Sequence, residues 1–182
     1  GVGSNRLHQI LAVLEKHMDL ALSRFDCYLA VAGGLEIEEP AADLGIAAAV
    51  DHCFATKYSS IKLSELAIGI GPFVVGPAIN RKIGNSGFSQ LSIDATSWKS
   101  ADWAAQYGLY AKVYENTDEM DNAVAALATQ LASSSPEAME ELKKVLWKGT
   151  EDWGELLLDL AQISGRLILS DFAKEAITSF KK

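Results

Sequence analysis

The chain has 182 residues, of which 49% are hydrophobic, and its formal net charge at pH 7 is −8. This length predicts one domain, or one core with an added layer of helices. The acidic balance argues against nucleic acid as the main partner. We also expect no membrane span and no signal peptide, since the chain lacks a run of roughly 18 apolar residues and a basic-then-apolar start.

The first part of the chain predicts a helix, a strand, a second helix and two further strands. Apolar residues at three- and four-residue steps predict a helix over Leu7–Phe25, and a short apolar run predicts a strand over Cys27–Ala32. The small apolar residues of Leu44–Val50 predict the start of a buried helix. Strands are then expected over Cys53–Tyr58 and Ser60–Leu63.

The middle of the chain predicts three short helices and a returning strand. We expect a helix over Gly76–Ile83 that Gly84 closes, and another over Ser86–Ile93. Ser100–Tyr107 predicts the third, whose first residue serves as N-cap. The strand Leu109–Tyr114 then returns to the core.

The last third predicts helices only. Asp118–Ala132 carries apolar residues along one side. Ser135–Pro136 is a strong helix start, because it places an N-cap before a proline at the first helical position. Further helices are expected over Thr150–Ser164 and Ser170–Lys182.

One carboxylate stands out, because Glu65 ends an apolar, strand-like run and is followed by three glycines. Gly69, Gly71 and Gly76 provide flexible backbone after it. Apolar surroundings raise the pKa of a carboxyl group and suit it to act as a base toward a carbon acid. The residues alone leave a second interpretation open, namely a solvated acid at a strand end or a helix cap.

The segment Lys62–Pro72, with Asp51 and Phe54–Thr56 before it, resembles the enoyl-CoA hydratase/isomerase (crotonase) superfamily. The resemblance runs from about Leu44 to the C-terminus. Further segments resemble family motifs in the expected order: Ser100–Ala104 with Gly108–Leu109, Ser135–Ala138 with Lys143, and Ser170–Asp171 with Glu175–Ile177 and Phe180.

This resemblance implies an α/β fold, a crotonase-like (ClpP/crotonase) β-spiral core that is truncated, with a helical C-terminal region. We expect a partial spiral core over residues 1–114 and a helical oligomerisation region over residues 115–182. The strands and loop that family members carry before their first helix have no counterpart before Leu7. A fragment, a shortened paralogue and a redesigned chain would all give this pattern.

The resemblance implies chemistry on a coenzyme A thioester, in which an oxyanion hole stabilises an enolate and glutamates move protons. Glu65 matches one of the family's two glutamates, whereas the position of the other, six residues ahead of Asp51, is Gly45. One acid can move a proton between two carbons, but hydration usually uses both. The resemblance therefore favours isomerisation over hydration, with a backbone N–H of Ala42 as oxyanion donor.

The resemblance also implies a substrate site and an assembly. The acyl-CoA is the substrate, no separate cofactor is expected, and fatty acid metabolism is the implied context. The helices, with Trp147, Leu156 and Leu167 exposed, would build a homotrimer or hexamer. The implied substrate-binding residues are Ile68, Gly69, Pro72, Phe73, Phe180 and Lys181. The alternative is a catalytically inactive crotonase-like protein with a structural or assembly role.

The remaining polar residues predict no metal site. Cys27 and Cys53 have neither metal-ligand spacing nor a disulfide framework, which predicts two reduced, buried thiols in a cytoplasmic protein. The three histidines do not form a metal set. Arg81 and Lys82 end a predicted helix, where they either complement its dipole or face a phosphate.

Overall fold

The computed structural model describes Leu44 and residues 47–180, which form two small sheets and a series of helices. Strand β1 (Phe54–Thr56) pairs in parallel with strand β4 (Lys112–Tyr114), and Ala55 lies opposite Val113. Strand β2 (Ser60–Ile61) pairs antiparallel with strand β3 (Lys99–Ser100). The predicted helix and strand before Leu44 lie outside these residues.

The three strands predicted in this region are confirmed, although each is shorter than expected. β1 ends early because the chain turns at once, with the N–H of Ser59 donating to the carbonyl of Thr56 over 3.0 Å. The returning strand starts at Lys112, although the N–H of Ala111 still donates to the carbonyl of Cys53 over 2.7 Å. β3 was not predicted, because its two residues carry no alternating pattern.

Helices make up most of the described chain. Residues 47–49 are helical, and a 3₁₀ helix covers Glu65–Ile68. No helix in the described part is long and apolar enough to cross a membrane. The α-helices from residue 76 onward are α1 (Gly76–Ile93), α2 (Ala101–Gln106), α3 (Thr117–Ala132), α4 (Pro136–Leu146), α5 (Trp153–Ile168) and α6 (Asp171–Phe180).

Local signals in the sequence predicted several helix ends correctly. The hydroxyl of Ser100 accepts the N–H of Trp103 over 3.2 Å, and that of Ser135 accepts the N–H of Ala138 over 3.3 Å. Gly84 has φ 70° and ψ 167°, which breaks α1 into the two helical segments expected. A side chain with a Cβ resists such a positive φ, so glycine is favoured there.

Other helix ends differ from the prediction. α3 begins one residue early, because the Asn116 side chain caps it by accepting the N–H of Glu119 over 2.9 Å. α5 begins at Trp153 instead of Thr150, since the Thr150 hydroxyl donates to the preceding carbonyl of Trp147 over 2.8 Å. It also runs four residues past Ser164, to Ile168.

The core lies between the sheets, α1, α2 and the helical residues around 47–49. Its largest fully buried side chains are Leu44, Leu63, Ile79, Leu91 and Leu109. Burying a leucine or isoleucine side chain stabilises a fold by about 1.5–3 kcal/mol. Because Leu63 is anchored in this core two residues before Glu65, the core fixes where the Glu65 turn begins.

The C-terminal helices bury more of their apolar residues than expected. The prediction that Trp147, Leu156 and Leu167 are exposed is wrong, because all three side chains are half-buried. The Trp147 ring packs edge-on against Trp153 with 6.0 Å between centroids. Ala173 of α6 is fully buried, which seats the last helix on the rest of the fold.

Candidate functional site

Glu65 is the first residue of the 3₁₀ helix that follows β2, and not part of the strand as the apolar run had suggested. The turn closes on itself, because the N–H of Ile70 donates to the Glu65 carbonyl over 2.9 Å and that of Gly69 to the Leu66 carbonyl over 3.1 Å. Gly69 ends the turn with φ 77°, a left-handed conformation that favours glycine. The backbone therefore presents Glu65 from a short, hydrogen-bonded turn.

The Glu65 side chain is only partly accessible. The residue as a whole is half-buried, and its carboxyl oxygen Oε2 is shielded from solvent. Leu63, which precedes it, is fully buried. A carboxyl group in such a setting loses part of its hydration, which is the environment in which carboxylates serve as bases toward carbon acids.

Aromatic rings fill the space beside two of the glycines that follow Glu65. A Cβ placed on Gly69 would lie 2.5 Å from Cδ1 of Phe172, and one placed on Gly71 would lie 2.5 Å from Cζ of Phe73. Real Cβ atoms essentially never show contacts under 3.0 Å, so a side chain at either position would force the neighbouring ring to shift. The missing side chain at Gly69 thus makes room for Phe172.

An apolar cavity of about 720 Å³ opens beside the turn. Leu66 lies at one side of it, and Pro72 and Phe73, two of the predicted substrate-binding residues, line its wall. Glu65, Ile68 and Gly69 do not line it. The other lining residues are mostly apolar or aromatic and come from α1 and α5: Gly76, Pro77, Phe88, Ile93, Trp153, Leu156 and Leu160.

The size and lining of this cavity suit a small organic ligand. Pockets for such ligands range over about 300–1,000 Å³ and are lined by apolar side chains with a few polar groups. The polar contributions here come from Asn80, Arg81, Ser92, Lys148 and Thr150. Sequence reasoning missed this cavity, because its walls come from residues nearly a hundred positions apart.

A polar cluster joins the core to the C-terminal helices. The Asp51 carboxylate accepts hydrogen bonds from Nζ of Lys143 over 2.5 Å and from Nε1 of Trp147 over 2.6 Å. The Arg81 guanidinium stacks 4.2 Å from the centre of the Trp147 ring and donates to the carbonyl of Leu146. Two residues of the family motifs, Asp51 and Lys143, are therefore direct partners.

Electrostatics explain why Asp51 holds its charge in this cluster. Burial raises the pKa of a carboxyl group, but hydrogen bonds from Lys143 and Trp147 and the positive charges of Lys143 and Arg81 outweigh that effect. The pKa of Asp51 is therefore lowered from its ordinary value. The charged form persists and keeps α4 attached to the segment before β1.

The neighbouring Lys82 also holds the core together. Its Nζ donates to the backbone carbonyls of Val50 and Asp51 over 2.9 and 2.7 Å. Burial lowers the pKa of Lys82, and burial raises the pKa of the Cys53 thiol. Lys82, like Arg81, is thus engaged with backbone carbonyls of the protein itself.

Several predicted residues lie outside the described part of the chain: Cys27, Ala42, Gly45, Lys181 and two of the histidines. For Phe180 only its place at the end of α6 is described. Among the residues that are described, no group of three or more His, Cys, Asp or Glu side chains could hold a metal ion. The predicted roles of all the site residues stay predictions.

The described fold is that of crotonase-like proteins. An enoyl-CoA hydratase from Mycobacterium avium superimposes with a TM-score of 0.70 at 26% identity, over 77% of this chain and 55% of that one. An enoyl-CoA hydratase from Bacillus halodurans shares the fold at 19% identity, with a TM-score of 0.67 over 76% of this chain and 55% of its own. The predicted α/β, crotonase-like fold is thereby confirmed.

The sequence model of the family described as Enoyl-CoA hydratase/isomerase matches residues 26–181. The chain belongs to this family. The match begins at residue 26, earlier than the start at about Leu44 that the motifs predicted. The chain spans about half the length of the solved relatives, so the activity of the whole proteins does not pass to it without a test.

A second similarity covers a smaller part of the chain. The DNA repair protein RadA of Synechocystis is 50% identical over 72 residues, which are 38% of this chain and 14% of that protein. RadA of Helicobacter pylori is 33% identical over 86 residues, 46% of this chain and 19% of its own. The family match covers residues 26–181, and the residues outside it are fewer than the 72 or 86 that match RadA. The RadA similarity and the family match therefore overlap along the chain.

Proposed function

We propose that the chain binds acyl-CoA thioesters and that Glu65 moves a proton at the carbon next to the thioester carbonyl. The observation that carries this proposal is the shielded carboxyl oxygen of Glu65, on a tightly closed turn whose next residue, Leu66, borders the apolar cavity. The chain's membership of the enoyl-CoA hydratase/isomerase family supports the choice of a thioester.

The proposed reaction is isomerisation of a carbon–carbon double bond. Glu65 takes a proton from the carbon next to the thioester carbonyl, and the electron pair forms an enolate conjugated with the double bond. The protonated Glu65, which can exchange its proton with solvent, then gives a proton to a carbon further along the acyl chain. Atoms and charge balance with a single acid. Hydration also requires a water molecule to be held and activated, and the position of the family's second glutamate is Gly45 in this chain.

The other roles proposed for this site follow the same chemistry. The backbone N–H of Ala42 would stabilise the enolate oxygen, because any residue other than proline supplies such a donor. Pro72 and Phe73 would contact the acyl group in the cavity, with Ile68 and Gly69 nearer the thioester. Phe180 and Lys181 would bind the coenzyme A nucleotide.

We also propose that the chain assembles as a homotrimer or hexamer in the cytoplasm. The support is a set of exposed apolar side chains on the C-terminal helices, which a subunit interface would cover. The free thiol of Cys53 suits a reducing compartment. The exposed side chains are Leu142, Val145, Leu146, Leu158, Ile168 and Leu169.

One observation favours the alternative, a catalytically inactive protein with a structural or assembly role. Glu65 does not itself line the cavity, although its neighbour Leu66 does. A carboxylate that the substrate cannot reach would leave a fold that binds or assembles without turnover. The two candidate functions therefore differ in whether Glu65 contacts a bound acyl group.

Calorimetric titration with acetyl-CoA and a short 3-enoyl-CoA, followed by turnover assays, tests the proposal. We expect saturable binding by the wild type and by Glu65→Gln, with isomerase turnover lost only in Glu65→Gln. Glu155→Gln, an exposed acid on α5, is the matched control and should keep full turnover. Binding without turnover in the wild type would favour the inactive alternative, and no binding at millimolar ligand would contradict the acyl-CoA proposal and leave the structural or assembly role.

A further inference from the structure

The first turn of α6 lies against the turn that carries Glu65. Ser170 caps this helix, with its hydroxyl accepting the N–H of Ala173 over 3.2 Å, and Ala173 is fully buried. These contacts fix the start of α6. Phe172 lies between the two residues and directs its ring onto Gly69, the residue that ends the 3₁₀ turn.

One side of the Phe172 ring packs closely against Gly69, and much of the rest of the side chain is exposed to solvent. The distance of 2.5 Å from Cδ1 to a Cβ built on Gly69 shows that the ring occupies the place of a side chain. Yet Phe172 is 64% exposed, which is costly for an aromatic side chain that only fills a core. A residue seated against a turn in this way restricts the turn more than it contributes to core burial.

The turn has few restraints of its own on this side. Ser64 provides no side-chain cap, and none of the four residues of the 3₁₀ helix is fully buried. Short 3₁₀ helices also have poorer hydrogen-bond geometry than α-helices. The contact of Phe172 with Gly69 therefore adds a restraint at the residue whose N–H forms one of the two backbone hydrogen bonds of the turn.

We infer that Phe172 is a positioning residue for Glu65, acting through its ring contact with Gly69. This inference rests on the proposed function of Glu65. It predicts that truncating Phe172 lowers the rate of proton transfer while substrate binding is kept, because Phe172 is not among the residues that line the cavity. Small displacements of a catalytic group remote from a mutation can reduce turnover by about 100-fold.

The test compares Phe172→Ala and Phe172→Tyr with the wild type. We expect Phe172→Ala to lower kcat by about 10- to 100-fold with KM little changed, and to shift the pH midpoint of kcat. Phe172→Tyr should restore both values, since its hydroxyl can reach solvent beside an exposed ring. Tyr58→Ala removes an even more exposed aromatic side chain, whose ring lies beside Lys57, and should leave kcat unchanged.

A second readout keeps this inference separate from the proposed function. Hydrogen exchange of the Gly69 and Ile70 amides reports the two hydrogen bonds of the turn directly. Faster exchange in Phe172→Ala, but not in Phe172→Tyr or Tyr58→Ala, would support the inference even if the wild type shows no turnover. Wild-type exchange and wild-type kcat in Phe172→Ala would overturn it and leave the role of Glu65 intact.

Discussion

At the scale of single residues, the glycine after the Glu65 turn combines two requirements that can be separated. Gly69 has φ 77° and would place a Cβ 2.5 Å from Phe172, whereas Gly149 has φ 86° and nothing within 4 Å. The two positions share the left-handed backbone and differ in the neighbouring ring. The difference between the stability losses of Gly69→Ala and Gly149→Ala therefore measures the cost of placing a side chain against the Phe172 ring.

We expect Gly69→Ala to lower the free energy of unfolding by about 2–5 kcal/mol, since a left-handed backbone costs about 1–2 kcal/mol and an overpacked side chain about 1–3 kcal/mol. Gly149→Ala should cost only the backbone share, about 1–2 kcal/mol. Denaturant titration of both variants provides the measurement. Equal losses of stability at the two positions would show that the Phe172 ring moves aside without an energetic cost.

At the scale of elements, the Asp51 cluster determines how α4 attaches to the core. The pKa of Asp51 is lowered in the folded protein, so the stability it contributes is present above the unfolded pKa of about 3.9 and is lost as pH falls through the folded value. Acid should therefore loosen this attachment. Because the side chains of Asp51 and Lys143 are 30% and 55% exposed, the contribution is modest.

We expect Asp51→Asn to destabilise the protein by about 1 kcal/mol near neutral pH and to flatten the loss of stability below about pH 4. Thermal unfolding followed across that range provides the measurement. Trp147→Phe keeps a smaller aromatic ring but removes the indole N–H that bonds to Asp51, and should flatten the acid response to a smaller extent. An unchanged acid response in Asp51→Asn would show that other carboxylates dominate.

Elements set by local chemistry were predictable, and those set by distant contacts were not. Ser100, Ser135 and Gly84 mark helix ends through bonds or backbone conformations within a few residues, and each prediction is confirmed. The late start of α5 depends on how Thr150 bonds to the turn before it. Glu65 was identified as a candidate from its surroundings in sequence, but its 3₁₀ turn was not.

The parts of the site that depend on packing could not be predicted from the sequence. Asp51 and Lys143 were both noted as family-like, yet nothing in their 92-residue separation indicated that they pair. Phe172 looked like one apolar residue on an amphipathic helix, and its contact with Gly69 appears only once α6 is seated by Ala173. Half-burial of Trp147 likewise follows from Arg81 stacking on it.

At the scale of the whole molecule, the exposed apolar side chains of α4 and α5 predict self-assembly. Val145 is 71% exposed and Leu169 is 67% exposed. Sedimentation of the wild type should give three or six times the chain mass of 19.6 kDa. Val145→Asp and Leu169→Asp together should shift the protein toward monomer, because a buried unpaired charge opposes association.

A control for that experiment uses Tyr58→Asp, which adds a charge at a side chain that is 77% exposed and lies between β1 and β2. This variant should keep the wild-type mass. A wild type that sediments as a monomer at all concentrations would contradict the proposed assembly.

The role proposed for Glu65 is to remove a proton from the carbon next to a thioester carbonyl. Incorporation of deuterium from heavy water at that carbon of a bound acyl-CoA, followed by mass spectrometry, measures this step directly. We expect incorporation by the wild type and by Glu155→Gln, and none above background by Glu65→Gln. Incorporation by Glu65→Gln at the wild-type rate would contradict it, as would a wild type that binds acyl-CoA and exchanges nothing.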